Sequence, residues 1–289
     1  MNKPVSSLTS FLRTCRHLRR IWRMKPSKEL WFRAEDANYC ETRLQPGLYR
    51  PREKGATRKP IQKLLEYEVD MYDEFDRCGT QLSPGDAWSL DDDWTSYFMM
   101  QHHGVPTRVL DWSDGALIAL HFAVSHMKDL VPKSDSIVYV LDPYWLLKRL
   151  EKDSDRKDAE KRWKAYWEEK HPNDTDDDDW DRLYLPFGKD NAEIPLLNMP
   201  SIPLLWDSPH VTRRIAAQRS RIMIFGTDPL YLLNLEQERD SRLVAINIAK
   251  DSIVSIRQEL RDAGITESVV FPDLDGLGRE LKQQWKLRS

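Results

Sequence analysis

Cysteine is scarce in this chain of 289 residues: Cys15, Cys40 and Cys78, an odd number with no CxxC spacing. A disulfide framework needs paired cysteines, so the pattern suits a reducing compartment. The seven histidines are scattered and form no cluster with cysteine, which argues against a structural zinc site, and no metal is expected. No stretch approaches the eighteen or more apolar residues of a membrane span, so no membrane partner is expected. No acid precedes Glu29, yet no apolar run follows the early basic residues as a signal peptide requires. These absences together imply a cytoplasmic protein. A net charge of −3 excludes a uniformly basic protein that coats nucleic acid by charge alone. No internal repeat is visible.

What is present suffices for a folded domain. Hydrophobic residues make up 40% of the chain, eleven of them Trp, while the 31% that are charged keep the surface solvated. The pattern of elements predicts one α+β domain over 1–289, with a mixed small sheet flanked by helices and a charged helical and acidic insertion. Residues 6–24 read as an amphipathic helix, with Phe11, Leu12, Cys15, Leu18 and Trp22 on one face and arginines on the rest. A short strand follows at Leu30–Arg33, then a loop punctuated by Pro46, Gly47 and Pro51. Helices are expected over Pro60–Arg77, from Asp91–Asp93 onward, and over Gly115–Met127, the last apolar nearly all round. Residues 148–182 turn charged and Trp-rich and end in a run of acids, which reads as a surface helix and an acidic loop inserted on the core. The acids lack the Gly and distal Glu of a calcium loop. Strands are expected at Ser136–Leu141, Ile222–Phe225 and Leu243–Ile248, with a helix over Val211–Ala217 and a closing helix, loop and helix.

Three places in the sequence carry candidate chemistry. Arg33 ends an apolar strand, where an inward arginine either pairs with Glu35, Asp36 or Asp111 or is reserved for an anionic ligand. The segment from Gln101 to Ser113 is dense in polar groups between two apolar helices. Gln101, His102, His103, Thr107, Arg108, Asp111 and Ser113 all need partners if buried, and Gly104 and Pro106 fix the turn between them. Asp111 and Ser113 stand before a helix N-terminus, which suits an anion; the same residues also suit a buried network in which Asp111 pairs Arg108 and Ser113 caps. Gln218 precedes a strand and carries an amide that reads hydroxyls but cannot act as a base. Arg213, Arg214, Arg219 and Arg221 surround it with positive charge.

Trp31-Phe-Arg-Ala34 resembles the motif that names the FRG domain, and Gln101-His-His-Gly-Val-Pro-Thr-Arg-Val-Leu-Asp-Trp-Ser113 resembles that family's most diagnostic stretch. The helix Ala116–Ala123, the strand leading to Leu141-Asp-Pro143, Arg214-Ile-Ala-Ala-Gln218 and Phe271-Pro-Asp-Leu-Asp-Gly276 follow in the family's order. Ala34 stands in place of the naming glycine, Glu35 where glutamine is usual, and Arg219-Ser220 in place of Gln-Gly. The resemblance implies a bacterial or phage protein, in some cases one near defence or toxin functions. The order of elements is similar to that of ADP-ribosyltransferases. By that analogy Arg33 takes the place of an early Arg or His, Asp-Trp-Ser113 that of a second-strand motif before Ala119-Leu-His-Phe-Ala123, and Gln218 that of a late Glu.

The resemblance thus implies an NAD-dependent ADP-ribosyltransferase-like enzyme, with NAD as substrate and Arg33, Asp111 and Gln218 as its catalytic residues. Arg33 holds the diphosphate, Trp112 and Ser113 position the nicotinamide ribose, and Gln218 binds ribose hydroxyls. Asp111 orients Arg108 or acts on the acceptor, itself a protein or a nucleic acid. Gln101, His102, His103, Thr107 and Arg108 complete the ligand contacts, and all are expected around one polar pocket. The rival readings are a binding module for a nucleotide or small anionic ligand through the same pocket, and nucleic-acid binding through Arg13–Arg23 and Arg213–Arg221.

Overall fold

A computed structural model describes residues 4–35, 42–51, 56–82, 93–125, 134–172, 179–186, 199–207 and 212–285. The strands are β1 (Trp31–Glu35), β2 (Val109–Ser113), β3 (Ser136–Leu141), β4 (Leu204–Trp206), β5 (Ser220–Ile224) and β6 (Leu243–Ile248). They form one sheet in the order β4-β5-β2-β1-β3-β6. The α+β class stands, but the expected mixed sheet does not. Among the described residues every strand pairing is antiparallel, and the parallel contact is an isolated bridge between Val5 and Ile248.

Alternation along each strand decides what faces what. Trp31 pairs with Leu141 and Arg33 with Tyr139, so these four side chains share one face. Across the centre of the sheet, β1 meets β2 at one paired position, Phe32 with Ser113. That register sets Ser113 and Asp111 on the face of Phe32, and Trp112 on the face of Arg33.

Both faces are covered. On the face of Phe32, the sheet packs under α1 (Leu8–Ile21), α4 (Ala116–Ser125) and α9 (Ile253–Asp262), through Phe11, Leu18, Leu120, Val138, Ile246 and Leu260. Further along that face, Val109, Ile222 and Ile224 pack against Phe98 and Met100 of α3 (Asp93–His102) and Trp163 of α6 (Ser154–Lys170). The opposite face buries Trp31, Leu110, Trp112 and Met223 against Leu146 of α5 (Pro143–Leu150) and Leu232 of α8 (Tyr231–Gln237). Asp111 lies between the two groups of helices on its face and is exposed, while its four neighbours in β2 are buried.

Local chemistry sets the helix ends. Ser7 and Ser10 form a reciprocal capping box that starts α1. The helix Ile61–Leu82, α2, runs longer than the sequence pattern predicts. Beyond the turn at Gly104 and Pro106, segment 101–113 contains β2, whose Val109, Leu110, Trp112 and Ser113 are buried. The segment expected as a surface insertion supplies α6, whose Ala159 and Trp163 enter the core, so α6 is not a purely surface helix. Residues 173–178 of the acidic run lie outside the described residues.

Trp163 is 1% exposed. Trp163→Ala is expected to cost about 3–5 kcal/mol, seen as a fall in the urea midpoint at unchanged slope. A loss under about 1 kcal/mol, the size of an ordinary surface change, would show that α6 is an appendage.

Candidate functional site

The turn between α3 and β2 is built by a glycine. Gly104 adopts φ +82 and closes α3, its N–H donating to the Gln101 carbonyl while the Val105 N–H reaches Met100. An L-residue there would strain the backbone, so the sequence places the one residue without Cβ. Gln101 is thereby held beside Asp111. The Thr107 hydroxyl donates to Gln101 Oε1 at 2.5 Å, and Gln101 Nε2 donates to Asp111 Oδ2 at 2.7 Å. With its oxygen taken by a hydroxyl and its nitrogen by a carboxylate, the amide has one orientation.

On the other side stands α7 (Arg213–Ala217), started by the Thr212 hydroxyl and ended at Gln218. Arg219 follows at φ +51, a left-handed conformation that costs a non-glycine residue about 1–2 kcal/mol. The strained turn is pinned by Asp114. Its N–H donates to the Arg219 carbonyl at 3.1 Å, and its carboxylate pairs with the Arg219 side chain and, at 2.8 Å, with Arg221. Ser113 completes the clamp: its hydroxyl donates to the Gln218 carbonyl at 2.7 Å and accepts from the Gly115 N–H at 3.0 Å.

Between these walls lies a cavity of about 100 Å³, lined by Phe98, Gln101, His102, Asp111, Arg214, Ile215, Gln218, Ser220 and Ile222. Two buried donors on its wall, Arg214 Nε and Gln218 Nε2, have no hydrogen-bond partner among the described residues. Buried donors without partners are costly, and these two face the same cavity. Arg214 sits over the Phe271 ring at 4.8 Å and has no carboxylate partner among the described residues. Asp111 supplies the cavity's carboxylate. Burial lowers the pKa of His102 from its ordinary 6.5, reinforced by the charges of Arg214 and His103 and opposed by Asp111. His102 is therefore neutral at pH 7 and able to accept a proton.

The structure thus gathers Gln101, His102, Asp111 and Gln218 at one cavity, with Ser113 and Thr107 holding them. Four other candidates are placed elsewhere. Arg33 is on the opposite face of the sheet, so the expected single pocket around Arg33 and Gln218 does not form. Its Nε pairs with Glu35 at 3.0 Å, and its Nη1 donates to the Asp111 main-chain carbonyl at 2.7 Å. Glu35 is itself buried and accepts from Arg50 at 3.2 Å and from the Leu44 N–H at 3.1 Å. Asp36, the third partner considered for Arg33, lies outside the described residues. Trp112 packs in the core of that same face. His103 is exposed on the far side of the turn, near the Phe75 ring.

Arg108 is wholly buried and pairs with Glu68 rather than Asp111, its guanidinium also donating to the carbonyls of Tyr184 at 2.6 Å and Phe225 at 3.1 Å. Burial, the largest single effect, lowers its pKa, but the Glu68 carboxylate together with the nearby Tyr97 and Tyr49 more than offsets burial, and the net shift is upward. It is a structural cation rather than a ligand contact. Arg214 was seen in the sequence as part of a positive patch and not as a site residue. The signal was its spacing, since residues four apart in a helix share a face, which puts Arg214 beside Gln218.

Residues 28–130 match the family model of the FRG domain. This stretch is an FRG domain. The match runs from β1 to beyond α4 and so contains Gln101, His102 and Asp111, while Arg214 and Gln218 reach the cavity from outside the matched FRG segment. No curated protein and no solved structure matches the chain. Among the described residues, no helix is long and apolar enough to cross a membrane.

Two outcomes follow from this geometry. Glu68→Ala leaves Arg108 charged and unpaired in the core, and is expected to destabilise the fold by about 3–5 kcal/mol, measured by chemical denaturation. An effect below about 1 kcal/mol would deny the pair its role. His102 is expected to titrate below 6.5 in an NMR pH series. Because its folded value is depressed, its share of stability is complete above 6.5 and is lost as pH falls through the folded value. His102→Gln should remove that part of the pH dependence.

Proposed function

We propose that this chain is an ADP-ribosyltransferase-like protein whose cavity takes the nicotinamide-ribose end of NAD as substrate. The observation that carries the reading is the pair of bare buried donors, Gln218 Nε2 and Arg214 Nε, on the same cavity as the Asp111 carboxylate. The sheet order supports it too: β5, β2 and β1, the strands that carry or adjoin Gln218, Asp111 and Arg33, are consecutive neighbours. A cavity of about 100 Å³ is below the ~300–1,000 Å³ of whole-ligand pockets. It suits one sugar or ring rather than a dinucleotide, so the rest of the substrate lies outside it.

The roles follow from charge and hydrogen bonding. Breaking the bond between ribose C1′ and the nicotinamide nitrogen sends the electron pair to nicotinamide and develops positive charge on the sugar. Asp111, fixed by Gln101, stabilises that charge. Gln218 donates to ribose hydroxyls, and Arg214 supplies positive charge for the diphosphate. The acceptor's lone pair closes on C1′, and neutral His102 takes its proton. Arg33 acts from behind, holding the Asp111 main chain rather than touching the substrate.

One feature favours a second reading, a binding module for a nucleotide or small anion without turnover: the residue at the late position is the amide Gln218, which stabilises no cationic centre. Nicotinamide release from NAD, measured alongside NAD and ADP-ribose titration, separates the two. The enzyme reading expects release by the wild type, a loss of about 10²–10³-fold in Asp111→Asn, and a gain in Gln218→Glu. No release by wild type or Gln218→Glu, with folding intact and ADP-ribose still bound, would sink the enzyme and leave the binding module.

A further inference from the structure

Helix α1 spends its whole apolar stripe on the core. Phe11, Cys15, Leu18 and the following Trp22 are buried, within one arc of the helix at 100° per residue. The opposite arc carries Arg13, Arg16, His17 and Arg20, all exposed, and Arg23 and Lys25 extend it past the helix end. Leu12 and Ile21, both exposed, flank this arc on opposite sides rather than joining into a patch. Arg13, Arg16, Arg20 and Arg23 have no acidic partner among the described residues, and no acid occurs in the sequence before Glu29. Arg19 differs, since its Nη1 is spent on the Lys28 carbonyl at 2.6 Å.

Such a row weakens the helix on its own. Like charges three or four residues apart repel, here Arg13 with Arg16, Arg16 with Arg20, and Arg20 with Arg23. Attraction to the negative helix C-terminus accounts for Arg19, Arg20 and Arg23 but not for Arg13 and Arg16 in the middle. At the C-terminus the chain turns through Arg23 at φ +53, with its N–H on the Arg20 carbonyl and the Met24 N–H on that of Arg19. This closure usually takes glycine. A cation stands there instead, and its conformational strain extends the row.

We propose that the outward face of α1 binds the phosphate backbone of nucleic acid through Arg13, Arg16, Arg20 and Arg23. Arg13 and Arg20 are seven residues apart, about 10 Å of helix axis, a length over which duplex nucleic acid presents about six phosphates. Guanidinium matches phosphate in a two-pronged way. A membrane is the poorer fit, because a helix lying in a bilayer must bury an apolar face, and that of α1 is already inside the domain. The core contacts fix the helix backbone that carries the row, so ordering on binding is confined to the arginine side chains. This surface is separate from the cavity.

The test is fluorescence anisotropy with labelled single-stranded RNA, single-stranded DNA and duplex DNA of mixed sequence, against a salt series. Binding to at least one is expected, with affinity falling about 100-fold between 50 and 200 mM salt for three to four neutralised phosphates. The triple variant Arg13→Glu, Arg16→Glu, Arg20→Glu should lose binding, and the matching triple change to Lys should keep both binding and the salt slope. Thermal melts of each variant check the fold, and nicotinamide release, where the wild type shows it, should not change. Three outcomes overturn the proposal: no nucleic acid binds at 50 mM salt, the Glu variant binds as the wild type does, or the chain sediments with phosphatidylserine vesicles while ignoring nucleic acid.

Discussion

Arg108 carries a full positive charge into the fully buried interior, and it survives there because Glu68 of α2 comes with it. The carboxylate accepts from the guanidinium, from the Arg108 N–H at 2.7 Å and from the Tyr97 hydroxyl at 2.6 Å. Two more donors of the guanidinium reach the carbonyls of Tyr184 and Phe225. One ion pair thus joins α2, α3, the start of β2, the segment after α6 and the end of β5. Removing either partner would leave an uncompensated buried charge, so these elements assemble together. With Arg108 fixed, β2 begins at a set position, and Asp111 three residues later falls on the opposite face, between two groups of helices. The site is positioned by a charge that does not belong to it.

A second buried ion cluster centres on Glu35. Glu35 gathers Arg33, Arg50 and the Leu44 N–H, and Arg33 passes one donor on to the main chain of Asp111. An arginine that the sequence presents as an anion receptor is thus employed in joining β1 to β2. This division of labour agrees with the cost of buried charge: a guanidinium inside the domain requires a carboxylate, and Glu35 is two residues away on the same strand face.

Much of the fold was legible because hydrophobic period and turn residues act locally. Ser136–Leu141 and Leu243–Ile248 match their strands residue for residue, and the helices at α1, α4, α7 and α9 fall within a few residues of expectation. The turn at Gly104 and Pro106 was legible for the same reason. What escaped were facts of pairing across long separations. Nothing near Arg108 in sequence says that its partner is Glu68, forty residues earlier. Periodicity alone does not make Val109–Ser113 a central strand, since Asp111 interrupts its apolar run; the resemblance gave Asp-Trp-Ser113 the place of a strand motif but not its position in the sheet. The face occupied by Arg33 depends on the register of Phe32 against Ser113, which only the assembled sheet sets. The same register leaves Gln101, His102, Asp111 and Gln218 together, as their shared polarity implied, and brings Arg214 to them.

The meeting of β1 and β2 has a mechanical consequence. Each half of the sheet is laced by a continuous ladder, β4-β5-β2 on one side and β1-β3-β6 on the other, but the halves meet at one rung and one guanidinium. Backbone pairing thus narrows to an isthmus between β1 and β2, and the apolar cluster of Trp31, Tyr139, Leu110 and Trp112 bridges the same line from one face. Asp111 stands on the isthmus with its carboxylate on the cavity and its carbonyl held by Arg33, so any load placed on the carboxylate is shared at once with Glu35, Arg50 and Leu44 on the other side. A tight grip on Asp111 would brace the sheet where its ladder is narrowest.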